Sequence, residues 1–146
     1  MSFKKVLIAV DNSAYSFKAA RIGIELSHAL GAQVAFLYVI NSAMAMGHPE
    51  GGVSPAEATI LLKKEAAETI DQLTKMYGEN QSITNFTPVG IAYEEILITA
   101  KEWVADVIVM GSHGRSGVTH LLVGSVSEQV LKRSQIPVLI VPAKEK

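Results

Sequence analysis

Residues 106–142 read DVIVMGSHGRSGVTHLLVGSVSEQVLKRSQIPVLIVP, and this stretch decides the fold. Its apolar run, residues 107–110, leads directly into Gly111-Ser112-His113-Gly114-Arg115-Ser116-Gly117, a loop with three glycines in seven residues. A helical pattern over 126–133 follows, and then a second apolar run, 138–141. Neither run is long enough for an independent helix. Their apolar character is nearly continuous rather than alternating, as in strands of a parallel sheet covered on both faces.

Upstream, the same alternation recurs. Residues 6–10 and 34–40 are further runs of Val, Ile and Leu, and 83–89 is a weaker one. In the last, Ile83, Asn85 and Thr87 alternate with Thr84, Phe86 and Pro88, which suits an edge strand, where proline is tolerated. Helices are expected at 14–30, closed by Gly31, at 54–77, at 92–104 and at 126–133. The second has the clearest start: Ser54, Pro55 and Glu57 supply an N-cap, an N1 proline and a capping-box acid. Along it Leu62, Ala66, Ile70, Leu73 and Tyr77 form one apolar stripe, and its many charges read as a solvated face. Strands and helices in this alternation predict a doubly wound α/β domain, a five-stranded parallel sheet with helices on both faces. The segment 41–53, NSAMAMGHPEGGV, is long for a strand-to-helix connection. It reads either as a mobile flap or as a connection without a role.

Composition limits what such a domain can do. At 146 residues, 49% hydrophobic and 18% charged, the chain is expected to form one domain spanning 1–146. With 13 basic residues against 14 acidic ones, it has no excess charge for wrapping a nucleic acid polymer. No apolar run approaches the roughly 18 residues of a membrane helix, and the opening MSFKKVLIAVD turns acidic too early for a secretory leader. No membrane association and a cytoplasmic location are expected. The absence of cysteine excludes disulfides, thiolate metal sites and a cysteine nucleophile.

In open α/β sheets, ligands bind beyond the carboxyl ends of the strands, where the strand order reverses. Asp11-Asn12-Ser13 follows the first strand and the glycine-rich loop follows the fourth. Successive amides in such a loop form an anion-binding nest, and a helix beginning at Gly124-Ser125-Val126-Ser127 would add unpaired amides to it. A plainer reading stands beside this one. Ser125 and Glu128 match a capping box, and Asp11 or Ser13 would serve as a cap for the first helix. There is no G-x-x-x-x-G-K-[ST] loop and no G-x-G-x-x-G after the first strand, so neither a Walker-type NTPase nor a dinucleotide enzyme is indicated. His28, His48, His113 and His120 lack metal-ligand spacing. A response regulator would need a phosphoacceptor Asp after the third strand, which ends instead in Pro88-Val89-Gly90.

Taken together, the opening strand with Asp11 and Ser13, the segment Gly90-Ile91-Ala92-Tyr93-Glu94-Glu95-Ile96 and the whole of 106–142 resemble the universal stress protein family, in its ATP-binding branch. The signature G-2x-G-9x-G-[ST] is intact as Gly111, Gly114, Gly124 and Ser125. The resemblance implies strand order 3-2-1-4-5. It further implies that Asp11 binds the ribose or adenine side and that the backbone near Val39 and Ile40 contacts adenine. Gly111 and Gly114 would let the chain pass close to ribose and phosphates, and Gly124, Ser125, Val126 and Ser127 would bind phosphate oxygens. Arg115 would be either a phosphate contact or an exposed arginine. Magnesium or manganese would be held mainly by the phosphates. A homodimer is also implied. The residues support it separately, since Val138, Leu139, Ile140 and Val141 form an apolar strand at a sheet edge, which either pairs with a second copy or lies beneath a helix of its own chain. The functions that follow are a nucleotide-dependent regulatory or stress-response module, a slow ATP hydrolase or phosphotransferase using the same pocket, and a structural homodimer whose glycine loop is only a turn.

Overall fold

The apolar runs become strands whose side chains alternate between two cores. In the computed structural model, which describes residues 2–113 and 125–143, the elements are β1 (Lys5–Val10), α1 (Tyr15–Leu30), β2 (Gln33–Tyr38), β3 (Ile40–Asn41), α2 (Ser42–Ala45), α3 (Pro55–Tyr77), β4 (Ile83–Phe86), β5 (Val89–Gly90), α4 (Ala92–Trp103), β6 (Val107–Gly111), α5 (Ser125–Arg133) and β7 (Val138–Val141). The main sheet is parallel throughout, in the order β4-β2-β1-β6-β7. Counting only its own five strands, this is the expected order 3-2-1-4-5.

Continuous hydrophobicity is explained by what each face meets. Val6, Ile8, Val34, Phe36, Val107 and Val109 pack with Ala19, Ala20 and Ile24 of α1 and with Ala66, Ile70 and Leu73 of α3. The intervening Leu7, Ala35, Leu37, Ile108 and Met110 pack with Ile96 and Ala100 of α4 and Val130 of α5. Burying both faces leaves no position for a polar residue, so the period of two disappears from the sequence. Gly23 sets how closely α1 lies on the sheet: a Cβ there would stand 2.5 Å from Ile8 Cδ1. The start of α3 is as expected, with Ser54 Oγ accepting from the Glu57 amide at 3.1 Å.

One expectation is corrected. Residues 34–40 and 83–89 are not single strands. Each breaks, and the outer pieces β3 and β5 pair with each other in a separate parallel sheet, Ile40 with Val89 and Asn41 with Gly90. Pro88, which has no N–H for a ladder, lies at the second break, and its carbonyl accepts from the Ile40 amide at 2.8 Å. The segment 41–53 has local structure of its own. It carries α2, a 3₁₀ turn at Pro49–Gly51 and a His48–Val53 bridge. Gly47, at φ 72°, permits the tight path, because a Cβ would lie 2.6 Å from the Val53 carbonyl.

The end of α4 holds a local conflict. Its C-cap is Val104, in the left-handed region at φ 59°, where glycine is the usual residue and a β-branched side chain is strained. Val104 is 68% exposed, so little packing offsets that strain. Val104→Gly is therefore expected to stabilise the protein by about 1 kcal/mol, the relief of strain exceeding the entropy gained by the unfolded chain. Urea unfolding of the two proteins, compared at equal m-value, measures this.

Candidate functional site

The order of the sheet reverses between β1 and β6, whose last pairing is Ala9 with Met110. Beyond those residues the chain leaves in two directions, and a crevice of about 260 Å³ opens between the exits. Val10, Leu37 and Met110 line it at the strand ends. Val39 and Asn41, with Ala92 and Ile96 of α4, form one side. Gly111, His113 and the first turn of α5, Ser125 to Ser127, form the other.

The turn after β1 is built around Asp11. One carboxylate oxygen accepts from the Ser13 amide at 2.8 Å and from the Ser16 hydroxyl at 3.0 Å, while the Asp11 amide donates to Ser16 Oγ at 2.7 Å. This is an Asx-type turn, with the buried Ser16 closing it. The N-cap position of α1 is Ala14, with no side-chain cap, so neither Asp11 nor Ser13 fills the capping role. Asn12 is drawn outward, its amide donating to Glu65 at 2.5 Å, and the Tyr38 hydroxyl donates to the same oxygen at 3.0 Å.

On the opposite side, the exit of β6 is tied to α5 and to the chain after β7. The Ser127 hydroxyl, 2% exposed, donates to the Gly111 carbonyl at 2.8 Å, with the Ser112 carbonyl at 3.3 Å. Ser112 is buried, its amide bonded to the Val141 carbonyl and its hydroxyl accepting from the Ala143 amide. Its hydroxyl also lies 3.0 Å from His113 Nδ1, and the His113 ring meets Tyr15 at 5.7 Å. A helix of nine residues thus starts at the crevice wall, held there by the Ser127 side chain.

Of the residues singled out from sequence, Asp11, Val39, Gly111, Ser125, Val126 and Ser127 line this one crevice. Ile40 does not: it is 1% exposed and packs in the core against α1 and α3. Ser13 is also absent from the lining, and its hydroxyl oxygen is buried without a hydrogen-bond partner. Gly114, Arg115, Gly124 and His120 lie outside the described residues. α5 begins at Ser125, one residue earlier than expected, and the Glu128 carboxylate pairs with Lys132 at 3.0 Å. Sequence reasoning missed Ser16, Asn41, Ala92 and Ile96. Asn41 was findable, since it stands two residues beyond Val39 and so faces the same way on an extended chain.

Among the described residues no group of three or more His, Cys, Asp or Glu is arranged to hold a metal ion. Among them, too, no helix is long and apolar enough to cross a membrane.

The arrangement has known counterparts. A model of the universal stress protein family matches residues 2–142. The universal stress protein MJ0531 of Methanocaldococcus jannaschii is 35% identical over 147 aligned positions, covering 98% of this chain and 85% of the relative. Among solved structures, the hypothetical protein MJ0577 of the same organism superposes with a TM-score of 0.86 at 29% identity over the full length of both chains. A universal stress protein solved in complex with cAMP has the same fold, with a TM-score of 0.70 at 24% identity over 99% of this chain and 100% of that one.

The Ser127 tether has a measurable energy. In Ser127→Ala the Gly111 carbonyl loses its donor in a buried setting, so stability is expected to fall by about 1–2 kcal/mol. Urea denaturation followed by far-UV circular dichroism checks the size of the loss.

Proposed function

The chain belongs to the universal stress protein family, and from that premise we propose that it binds ATP in the crevice between β1 and β6 and acts as a nucleotide-dependent regulatory or stress-response module in the cytoplasm. One observation carries this reading: the strand exit bearing Asp11, the first signature glycine Gly111 and the first turn of α5 line a single crevice. The sequence places the rest of the signature, Gly114 and Gly124, between Gly111 and that turn.

In this assignment Asp11 serves the nucleoside end and the chain at Val39 the base. In this reading Gly111, Gly114 and Gly124 allow close approach, and the first-turn amides with the Ser125 hydroxyl receive phosphate oxygens. Arg115 is assigned to the phosphates. Ser127 contributes by fixing the helix start, because its hydroxyl hydrogen is already given to Gly111. Magnesium or manganese accompanies the nucleotide, held mainly by the phosphates, whose oxygens are hard donors. Amide and hydroxyl contacts of this kind bind the ground state and do not speed phosphoryl transfer, so occupancy rather than turnover is the signal. The cAMP bound by a protein of the same fold agrees with a nucleotide in this crevice.

Mass spectrometry of the ligand released on denaturing freshly purified protein tests the assignment directly, with an adenine nucleotide expected. Gly114→Val should abolish ATP binding by calorimetric titration while leaving the far-UV spectrum native, since a β-branched side chain blocks close approach and resists positive φ.

A homodimer through β7 completes the proposal. Among the described residues β7 is an edge strand, paired only with β6, and Leu139 is 38% exposed on it. The four apolar residues do not all face water, however. Val141 is buried in the core, and Val138 and Ile140 pack partly against the face covered by α4 and α5. The pairing therefore rests on the strand's backbone edge and on Leu139. Sedimentation velocity is expected to show Leu139→Lys shifted toward monomer relative to the parent protein.

A further inference from the structure

We propose that Asn41 is a specificity-determining residue, whose side-chain amide donates a hydrogen bond to a ring nitrogen of the nucleotide's purine base. The inference rests on the nucleotide reading above and adds a determinant which that reading does not contain. Asn41 ends β3, pairs with Gly90 and lines the crevice on the same side as Val39 and Ala92. Its side-chain oxygen is committed elsewhere, accepting from the Ala43 amide at 2.8 Å and the Met44 amide at 3.3 Å at the start of α2.

Those two N–H donors fix the orientation of the carboxamide. Flipped, the amino group would stand against two other donors. The group that Asn41 can offer to the crevice is therefore its NH₂, a donor only. Around it the wall is apolar, formed by Val39, Ala92 and Ile96 with Leu37 and Met110 at the strand ends. An oriented donor beside an apolar wall favours the base whose in-plane acceptor falls at that point when its ring lies on the wall. A purine presents ring nitrogens as acceptors in the plane of the base, where a donor on the rim can reach them. Asn41 is exposed, so a ligand entering the crevice meets it without rearrangement.

The substitution Asn41→Asp separates the two roles of the side chain. Aspartate caps a helix start as well as asparagine does, so α2 is retained, but an ionised carboxylate only accepts. Calorimetric titration of both proteins with ATP and with its 1-deaza, 3-deaza and 7-deaza analogues tests the proposal. Asn41→Asp is expected to weaken ATP binding about tenfold, the magnitude of one lost hydrogen bond. That difference should collapse to near unity with the one analogue lacking the accepting nitrogen and persist with the other two. Equal affinity of both proteins for ATP would overturn the proposal. A uniform loss across ATP and all three analogues would do so as well, since it reports the added charge and no contact with the base. If the parent protein binds none of these nucleotides, the nucleotide reading itself fails and takes this inference with it, an outcome visible without the variant.

Discussion

The burial of β1 is the constraint on which the rest of the molecule depends. Val6, Leu7 and Ile8 are fully inaccessible to solvent, and the strand hydrogen-bonds to β2 on one side and β6 on the other. Its entry is held by Asp106, whose carboxylate accepts from the amides of Lys4 and Lys5 at 2.7 and 2.9 Å. A central strand whose successors lie on opposite sides forces right-handed crossovers onto opposite faces. Hence α1 and α3 cover one face, while α4 and α5 cover the other. The crevice is the geometric remainder of that reversal, since the connections from β1 and β6 leave toward opposite sides of the sheet order.

Hydrogen bonds within the chain fix the described elements around the crevice. Ser16 closes the Asp11 turn, Glu65 holds Asn12 and Tyr38 on one oxygen, and Ser127 holds α5 to the end of β6. Among the described residues lining the crevice there is neither lysine nor arginine. On the proposed reading, anion affinity on this side would come from backbone amides and the helix terminus, whose orientation is part of the fold. A site formed in this way orders few side chains on binding, which lowers the entropic cost of occupancy.

How much of this was legible in the sequence follows from the range of each interaction. The buried strands announced themselves through unbroken Val, Ile and Leu, and the start of α3 through Ser54 and Glu57, because burial and capping act on residues close together in the chain. The glycine spacing and Asp11 pointed to the strand exits for the same reason. The separation of β3 from β2 was not legible, since Ile40 is as apolar as its neighbours and only its pairing with Val89 distinguishes it. Nor was the role of Ser127, which depends on a carbonyl sixteen positions away, or the left-handed cap at Val104, which no local preference favours. Ile40 was placed near the site by resemblance through its backbone, and its side chain lies in the core because side chains alternate along an extended chain.

The small sheet of β3 and β5 joins only two residue pairs, and it stands apart from the ladder that holds the five main strands. Ile40 belongs to the core, but Asn41 and Val89 are exposed and can change without disturbing the register of Val6, Leu7 and Ile8. The molecule thus divides its inheritance: the foundation tolerates little drift, whereas the rim is open to selection. A substitution at an exposed rim position such as Asn41 or Val89 alters what the crevice presents at small cost to folding.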